Sequence, residues 1–153
     1  MSAGTIADYL ESDHRRLDGL LAETVDALAA GSMAQAARAF GLFQEGIERH
    51  IGLEEQLLLP HFDDATGPYG PAQAMREEHL RILNGACNIA LLLHSNDRAR
   101  CFEELDSLAR LLSTHNLKEE RVLYPVAERI LASLGQRDDI LARMQETVLN
   151  EAE

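Results

Sequence analysis

The stretch His50-Ile-Gly-Leu-Glu54-Glu55-Gln-Leu-Leu-Leu-Pro60 returns 65 residues later as His115-Asn-Leu-Lys-Glu119-Glu120-Arg-Val-Leu-Tyr-Pro125. The same offset carries Asp13-His14 onto Glu78-His79. Six side chains that commonly bind metals therefore recur as one duplicated set: His14, His50, Glu54, His79, His115 and Glu119. Buried imidazoles and carboxylates are costly unless they are compensated, and metal coordination is a common means of compensation. The repeat predicts two similar halves that meet at a polar centre.

Length, composition and charge indicate one globular domain and exclude several kinds of partner. The 153 residues are 46% hydrophobic and 26% charged, which suits a single apolar core. The formal charge of −12 disfavours nucleic acid and anionic membranes as partners. The chain has no apolar run of about 18 residues and no signal-peptide pattern, and its two cysteines form no disulfide framework. We therefore expect a cytoplasmic monomer or homodimer with reduced thiols.

Apolar residues recur at spacings of three and four, which predicts amphipathic helices and no strands. We expect a first helix from the Thr5 cap to about residue 29 and a second from Ser32 to about residue 59, where Pro60 ends or kinks it. A third helix should run from Pro71 to about residue 94. A fourth should reach Pro125 or residue 134, and a fifth should cover about residues 138–149. Residues 63–70 are predicted to be the only substantial loop.

These elements predict an all-α, up-down-up-down four-helix bundle, because short connections place neighbouring helices antiparallel. We expect residues 1–134 to form the bundle and residues 135–153 to form a short extra C-terminal helical tail. The predicted core positions of the second and fourth helices are Ala36, Phe40, Phe43, Ile47, His50 and Glu54 and, with the same offset, Cys101, Leu105, Leu108, Leu112, His115 and Glu119. Those of the first and third helices are Leu10, His14, Leu17, Leu21, Val25 and Leu28, and then Met75, His79, Ile82, Ala86, Ala90 and Leu93.

The spacing of the duplicated pairs suits two adjacent metal ions. Residues four apart on a helix share one face, with Cβ atoms about 5–6 Å apart. A His-x-x-x-Glu pair can thus give an imidazole to one metal and a carboxylate, Glu54 or Glu119, that bridges to the other. His14 and His79 would add a second histidine to each metal. Iron is the first choice and manganese or zinc are alternatives, with water, oxo, hydroxo or a small substrate completing each shell. The competing interpretation is a metal-free, hydrogen-bonded polar layer.

The order His, His-x-x-x-Glu, His, His-x-x-x-Glu resembles the hemerythrin-like, or HHE cation-binding, family over about residues 8–134. The resemblance implies an up-down four-helix bundle around a non-haem di-iron centre, with the duplicated set at the ligand positions. Oxygen-carrying members have a further histidine where this chain has Met75, and they end in His-x-x-x-x-Asp where it has His115-x-x-x-Glu119. The set of four histidines and two glutamates is similar instead to a subgroup of iron–sulfur repair, nitric-oxide-response and small peroxide-consuming proteins.

We therefore predict a protein that binds two iron ions alike and leaves both open to a small oxidant, which is peroxide, oxygen or nitric oxide. Reversible oxygen storage, or iron or redox sensing without turnover, is the alternative, and the sequence leaves open whether the chain is an enzyme. Glu55 and Glu120 are duplicated too, about 100° round the helix from the preceding ligand position, and are expected on a solvated or salt-bridged face, with orientation of the ligands as the alternative. Asp18 is a weaker candidate partner for the second N–H of His14. Met75 and Tyr124 are candidates to shape the pocket.

Overall fold

Seven α-helices make up the described part of the chain, residues 4–67 and 70–152 of a computed structural model. They are α1 (Ile6–Ala29), α2 (Met33–Leu53), α3 (Leu59–Thr66), α4 (Pro71–His94), α5 (Arg98–Lys118), α6 (Tyr124–Ser133) and α7 (Arg137–Ala152). A first π-helical turn, Glu54–Leu58, joins α2 to α3, and a second, Glu119–Leu123, joins α5 to α6. No strand occurs in these residues, and the all-α prediction is confirmed.

The first two helices begin where the capping signals place them. The Thr5 Oγ1 atom accepts the backbone N–H of Asp8 at 2.9 Å, and the Ser32 Oγ atom accepts that of Gln35 at 3.3 Å. Each bond satisfies a backbone donor that the helix itself leaves unpaired. Between them Gly31 has a φ of 81°, a left-handed conformation that favours glycine, and this turn ends α1. The bounds of α1 and α4 agree with those predicted from the sequence.

Pro60 and Pro125 each lie in helix that continues beyond them. Of the two outcomes predicted for Pro60, an end or a kink of the second helix, the end is wrong. Pro60 lies inside α3, which continues to Thr66, so residues 63–66 of the predicted loop are helical. Residues 68 and 69 of that loop lie outside the described part. Proline lacks an N–H, and its ring crowds the carbonyl four residues earlier. The wider π-helical turn before each proline relieves that crowding.

The π-helical turns also change which side chains share a face. The backbone N–H of Leu59 donates to the Glu54 carbonyl, and that of Tyr124 donates to the Glu119 carbonyl, each five residues back. In an uninterrupted α-helix such residues would lie roughly 140° apart around the axis. The extra residue in the turn brings them back to one face. Leu59 and Tyr124 therefore lie on the core side of their helices, and both are buried.

The four long helices pack in a ring, in which α1 and α4 each contact both α2 and α5. Helix α3 packs against α4 and α6, and α7 packs against α1 and α6. One apolar cluster, around Phe40 and Phe43, fills the space between the long helices. A second cluster fills the end formed by α3, α6 and α7. Along α1, Leu10 belongs to the second cluster and Leu17 to the first, so His14 lies between the two.

All twelve predicted core residues of the second and fourth helices are buried, but one predicted position in each of α1 and α4 is wrong by one residue. Val25 is 38% exposed and Thr24 is buried in its place. Ala90 is only half-buried, whereas Ile89 is buried. The prediction used two successive steps of four at these points, whereas a regular alternation of steps of four and three reaches Thr24 and Ile89. The next predicted residues, Leu28 and Leu93, are buried. None of the described helices is long and apolar enough to cross a membrane.

The close approach of α1 to α2 predicts opposite effects for two glycine substitutions in α2. A Cβ atom on Gly46 would lie 2.6 Å from Leu17 Cδ2 and 3.0 Å from Arg16 Nη2, whereas one on Gly41 would meet nothing within 4 Å. Gly46→Gln should lower the free energy of unfolding by about 1–3 kcal/mol through overpacking. Gly41→Gln should raise it by about 0.5–1 kcal/mol, because glutamine favours helix more than glycine does. Urea unfolding at matched metal content measures the free energy of unfolding of both variants. Equal changes in the two variants would contradict the close packing of α1 against α2 at Gly46.

Candidate metal centre

Six buried side chains, all those singled out from the sequence, converge between the two apolar clusters. They form two sets of four, and within each set the ligand atoms lie within 4.8 Å of one another. The first set is His14, His50, Glu54 and Glu119, and the second set is His79, His115 and the same two glutamates. Because Glu54 and Glu119 belong to both sets, each places one carboxylate between the two groups of histidines. Each set can hold a metal ion.

The second set contains polar atoms that the protein itself does not satisfy. The His79 Nε2 atom lies 3.1 Å from Glu54 Oε1 and 3.6 Å from Glu119 Oε2. These three atoms are buried and have no hydrogen-bond partner. An unsatisfied buried polar atom costs about 1–3 kcal/mol, and more when it is charged. A cation between them would accept all three lone pairs, so the donor set fits a metal ion.

Each of the four histidines is hydrogen-bonded through its Nδ1 atom to a carboxylate. The bonds join Nδ1 of His14 to Glu120 at 2.8 Å, of His50 to Asp13 at 2.8 Å, of His79 to Glu55 at 2.7 Å and of His115 to Glu78 at 2.8 Å. We call these four acidic residues the outer carboxylates. Each of them directs the Nε2 atom of its histidine towards the centre, and in metal sites such partners also make the imidazole a stronger base.

The outer carboxylates decide between two expectations for Glu55 and Glu120 and correct one for Asp18. Glu55 and Glu120 are half-exposed, but they contact His79 and His14, which agrees with the alternative that they orient these side chains. Asp18 was a candidate partner for His14, and Glu120 takes that place. Asp18 instead lines a polar pocket of about 240 Å³ at the outer edge of the His14 ring. The signal that could have identified the outer carboxylates was in the repeat, since all four recur with the 65-residue offset.

Two of the outer carboxylates are kept ionised by cations. Burial alone would raise the pKa of Asp13, but the hydrogen bond and charge of His50 and the contact with Arg16 lower that pKa to about 2. Burial likewise opposes the ionisation of Glu78, yet hydrogen bonds from Lys118 and His115 lower its pKa. Both carboxylates therefore remain anions at neutral pH and can accept the imidazole N–H.

Without a metal, protons take over part of the compensation at the centre. Burial lowers the pKa of His50, but the charge of Glu54 and the hydrogen bond to Asp13 raise it to about 10. For His79, burial is outweighed by its close contacts with the carboxylates of Glu119 and Glu54 and by its hydrogen bond to Glu55, and its pKa also rises to about 10. These imidazoles are therefore protonated at neutral pH in the metal-free protein. A metal ion must displace the protons in order to bind.

Tyr124 makes the two sets unequal. Its hydroxyl oxygen lies 2.5 Å from Glu54 Oε2 and 3.1 Å from Glu119 Oε1, on the side of the first set. The residue at the equivalent place in the other half is Leu59, which is buried and has no polar atom to offer. Burial and the charges of Glu54 and Glu119 raise the pKa of Tyr124 well above its usual range. The phenol is therefore neutral in the metal-free protein and donates a hydrogen bond to Glu54.

The two-fold arrangement of the six side chains thus agrees with the repeat, and Tyr124 departs from this symmetry. The hemerythrin HHE cation-binding domain family matches residues 5–127, a range that includes both donor sets, the outer carboxylates and Tyr124. No curated protein and no solved structure matches the chain significantly. The family match covers well over half of the sequence. The chain belongs to the hemerythrin HHE cation-binding domain family.

Proposed function

We propose that this chain is a non-haem di-iron protein that reacts with or senses a small oxidant, namely peroxide, oxygen or nitric oxide. The observation that carries the proposal is the pair of donor sets that share Glu54 and Glu119. In the proposed centre, His14 and His50 bind one metal, His79 and His115 bind the other, and Glu54 and Glu119 bridge the two metals. The nitrogen and oxygen donors suit iron, with manganese and zinc as alternatives, and membership of the family favours iron.

The proposed topology is an up-down-up-down four-helix bundle of α1, α2, α4 and α5. Short turns at residues 30–32 and 95–97 connect α1 to α2 and α4 to α5, and such turns favour antiparallel neighbours. The contacts of α1 and α4 with both α2 and α5 support this arrangement. It would bring the start of α1 and α4 and the end of α2 and α5 to one end of the bundle, where the candidate ligands lie.

Bound iron would supply electrons by moving between its ferrous and ferric states and would offer coordination positions to the oxidant. The chain contributes the environment. The outer carboxylates fix the four imidazoles, and the apolar clusters on either side limit water at the centre.

Metal sensing is the second candidate function, and the burial of the bridging glutamates favours it. Glu54 and Glu119 are fully buried, and buried carboxylates without a cation destabilise a fold strongly. Loss of metal would therefore weaken the bundle at the point where α2 and α5 pass into their π-helical turns. In that role the chain reports metal or oxidant by a change of stability, without turnover.

The reaction with oxidants tests the main proposal. The iron-loaded ferrous protein is mixed with peroxide, with air and with nitric oxide, and its visible spectrum and the oxidant concentration are followed in time. We expect rapid loss of peroxide or nitric oxide with oxidation of the iron. A stable adduct with oxygen that reverses under vacuum would favour oxygen storage. No spectral change with any of the three would contradict the proposal.

The shared carboxylates predict a graded response of metal content to substitution. Glu119→Gln removes a charge common to both sets, and we expect the content to fall from two metals to fewer than one per chain. Glu55→Ala removes only the partner of His79 Nδ1, which should weaken metal affinity by about 10–100-fold. Glu48→Ala, an exposed change on the same helix as His50, should alter nothing. Mass spectrometry of metals and competition with a chelator measure all three, and an unaffected Glu119→Gln variant would overturn the assignment.

The raised histidine pKa values predict that metal binding releases protons. The pKa values of His50 and His79 rise from an ordinary 6.5 to about 10, so both rings bind protons at pH 7.5 that the metal displaces. Apparent metal affinity should therefore increase with pH up to about 10. Titration of the metal-free protein with zinc in weak buffer, read with a pH indicator, measures the release. Zinc binding at pH 7.5 without proton release would contradict the protonated state of His50 and His79 in the metal-free protein.

The same shifts set the pH dependence of the metal-free fold. A raised folded-state pKa stabilises the fold fully below the unfolded value, here 6.5, and the contribution is lost as pH rises through about 10. The free energy of unfolding of the metal-free protein should therefore fall over this interval. The loss should be smaller in the metal-loaded protein, whose histidines are already deprotonated. Urea unfolding at several pH values compares the two forms, and parallel curves would contradict the expectation.

A further inference from the structure

We propose that the hydroxyl oxygen of Tyr124 is a fifth protein ligand to the metal of the first set, so that a small external ligand binds at the metal of the second set. The inference rests on the proposed di-iron function and specifies which half of the centre reacts. It assigns different tasks to two metal positions that the sequence repeat alone would make equivalent.

The position of the Tyr124 oxygen is that of a neighbouring ligand. It lies 3.1 Å from His14 Nε2 and 3.3 Å from His50 Nε2, in addition to its contacts of 2.5 Å with Glu54 and 3.1 Å with Glu119. Ligand atoms that are adjacent on a metal with bonds of about 2.1 Å lie about 3 Å apart. The phenol oxygen is thus spaced from the donors of His14, His50 and Glu119 as a fifth donor would be, and it lies closer to Glu54, to which it donates a hydrogen bond.

In the part of the chain that the structure describes, Leu59 stands at the repeat position equivalent to Tyr124, and its buried side chain has no polar atom. Three buried polar atoms of the centre, His79 Nε2, Glu54 Oε1 and Glu119 Oε2, have no hydrogen-bond partner, and they face one another in the second set. With four protein ligands instead of five, the second metal would retain more open positions.

An apolar pocket lies beside this half of the molecule. It has a volume of about 290 Å³ and opens between α3, α4 and the second π-helical turn, with walls that include Phe62, Met75 and Leu123. Met75 lies one helical turn before His79, and Leu123 lies four residues after Glu119. The pocket therefore borders the helices that carry the second set.

In the other half, the counterparts of Met75 and Leu123 are Leu10 and Leu58, and both are fully buried. Helix α7, with Ile140 and Met144 in the same apolar cluster, packs against α1, which carries Leu10. The polar pocket beside His14 reaches only the outer edge of the ring, where Nδ1 is bonded to Glu120. The inner Nε2 atom of His14 faces Tyr124.

Coordination of Tyr124 involves no change of oxidation state. The O–H bond of the phenol breaks, a metal–oxygen bond forms, and the proton is released to solvent. The hydrogen bond that Tyr124 donates to Glu54 in the metal-free protein is lost in the same step, and the carboxylate oxygen is freed to bind the metal.

The test uses the iron-loaded ferric protein and compares Tyr124→Phe with Tyr9→Phe. Phenylalanine keeps the ring of Tyr124 and removes only its oxygen. Tyr9 is a matched control, because its hydroxyl donates to the Met144 carbonyl at 3.2 Å in the second cluster. Three measurements are made on each protein: iron per chain, resonance Raman modes of iron-bound tyrosine, and the number of azide ions bound per iron pair. The chain has three tyrosines and no Trp, so the Raman signal is readily assigned by substitution.

We expect two irons per chain in all three proteins. The wild type and Tyr9→Phe should show the Raman modes of iron-bound tyrosine and bind one azide per iron pair. Tyr124→Phe should lack these modes and bind two azides per iron pair. Two irons without tyrosine modes in the wild type would overturn the inference and leave the di-iron function standing. An unchanged azide stoichiometry in Tyr124→Phe would overturn it as well. Fewer than one iron per chain would refute the proposed function and this inference with it.

Discussion

The burial of two shared carboxylates among four imidazoles is the constraint on which the rest of the structure depends. Glu54 and Glu119 have no exposed surface, and each faces histidines from both halves of the chain. Such a layer is stable only when positive charge balances it. Protons on His50 and His79 can do so in the metal-free protein, and metal ions can replace them. The long helices bring these groups together, and the two apolar clusters enclose them.

Much of this could be predicted from the sequence, because it follows from the period of the helix and from the repeat. Residues four apart share a helix face, so the His-x-x-x-Glu pairs had to point one way. The offset of 65 residues then required a second copy of every ligand. The helix bounds followed from capping residues whose side chains satisfy local backbone donors, as at Thr5 and Ser32. All six candidate ligands are close together and buried, although their metal-binding role stays a prediction.

What the sequence did not reveal depends on departures from the regular α-helix and on contacts between helices. Tyr124 was a candidate to shape the pocket, but its contact with both shared glutamates depends on the π-helical turn before Pro125, because an unbroken α-helix would have turned it away. The outer carboxylates Glu55 and Glu120 each reach a histidine on another helix, which the spacing within one helix cannot show. The predicted seams of α1 and α4 were wrong at Val25 and Ala90, where a regular alternation of steps of four and three reaches the buried Thr24 and Ile89 instead. The division after residue 134 likewise stays a prediction.

The central claim is that two metal ions lie side by side and share both glutamates. Anomalous diffraction from crystals of the iron-loaded protein, recorded on either side of the iron absorption edge, tests it most directly. The account predicts two iron peaks in the core, one bound by His14 and His50 and one by His79 and His115, with Glu54 and Glu119 touching both. A single peak, or iron bound only at the surface with the six side chains still joined by hydrogen bonds, would contradict it.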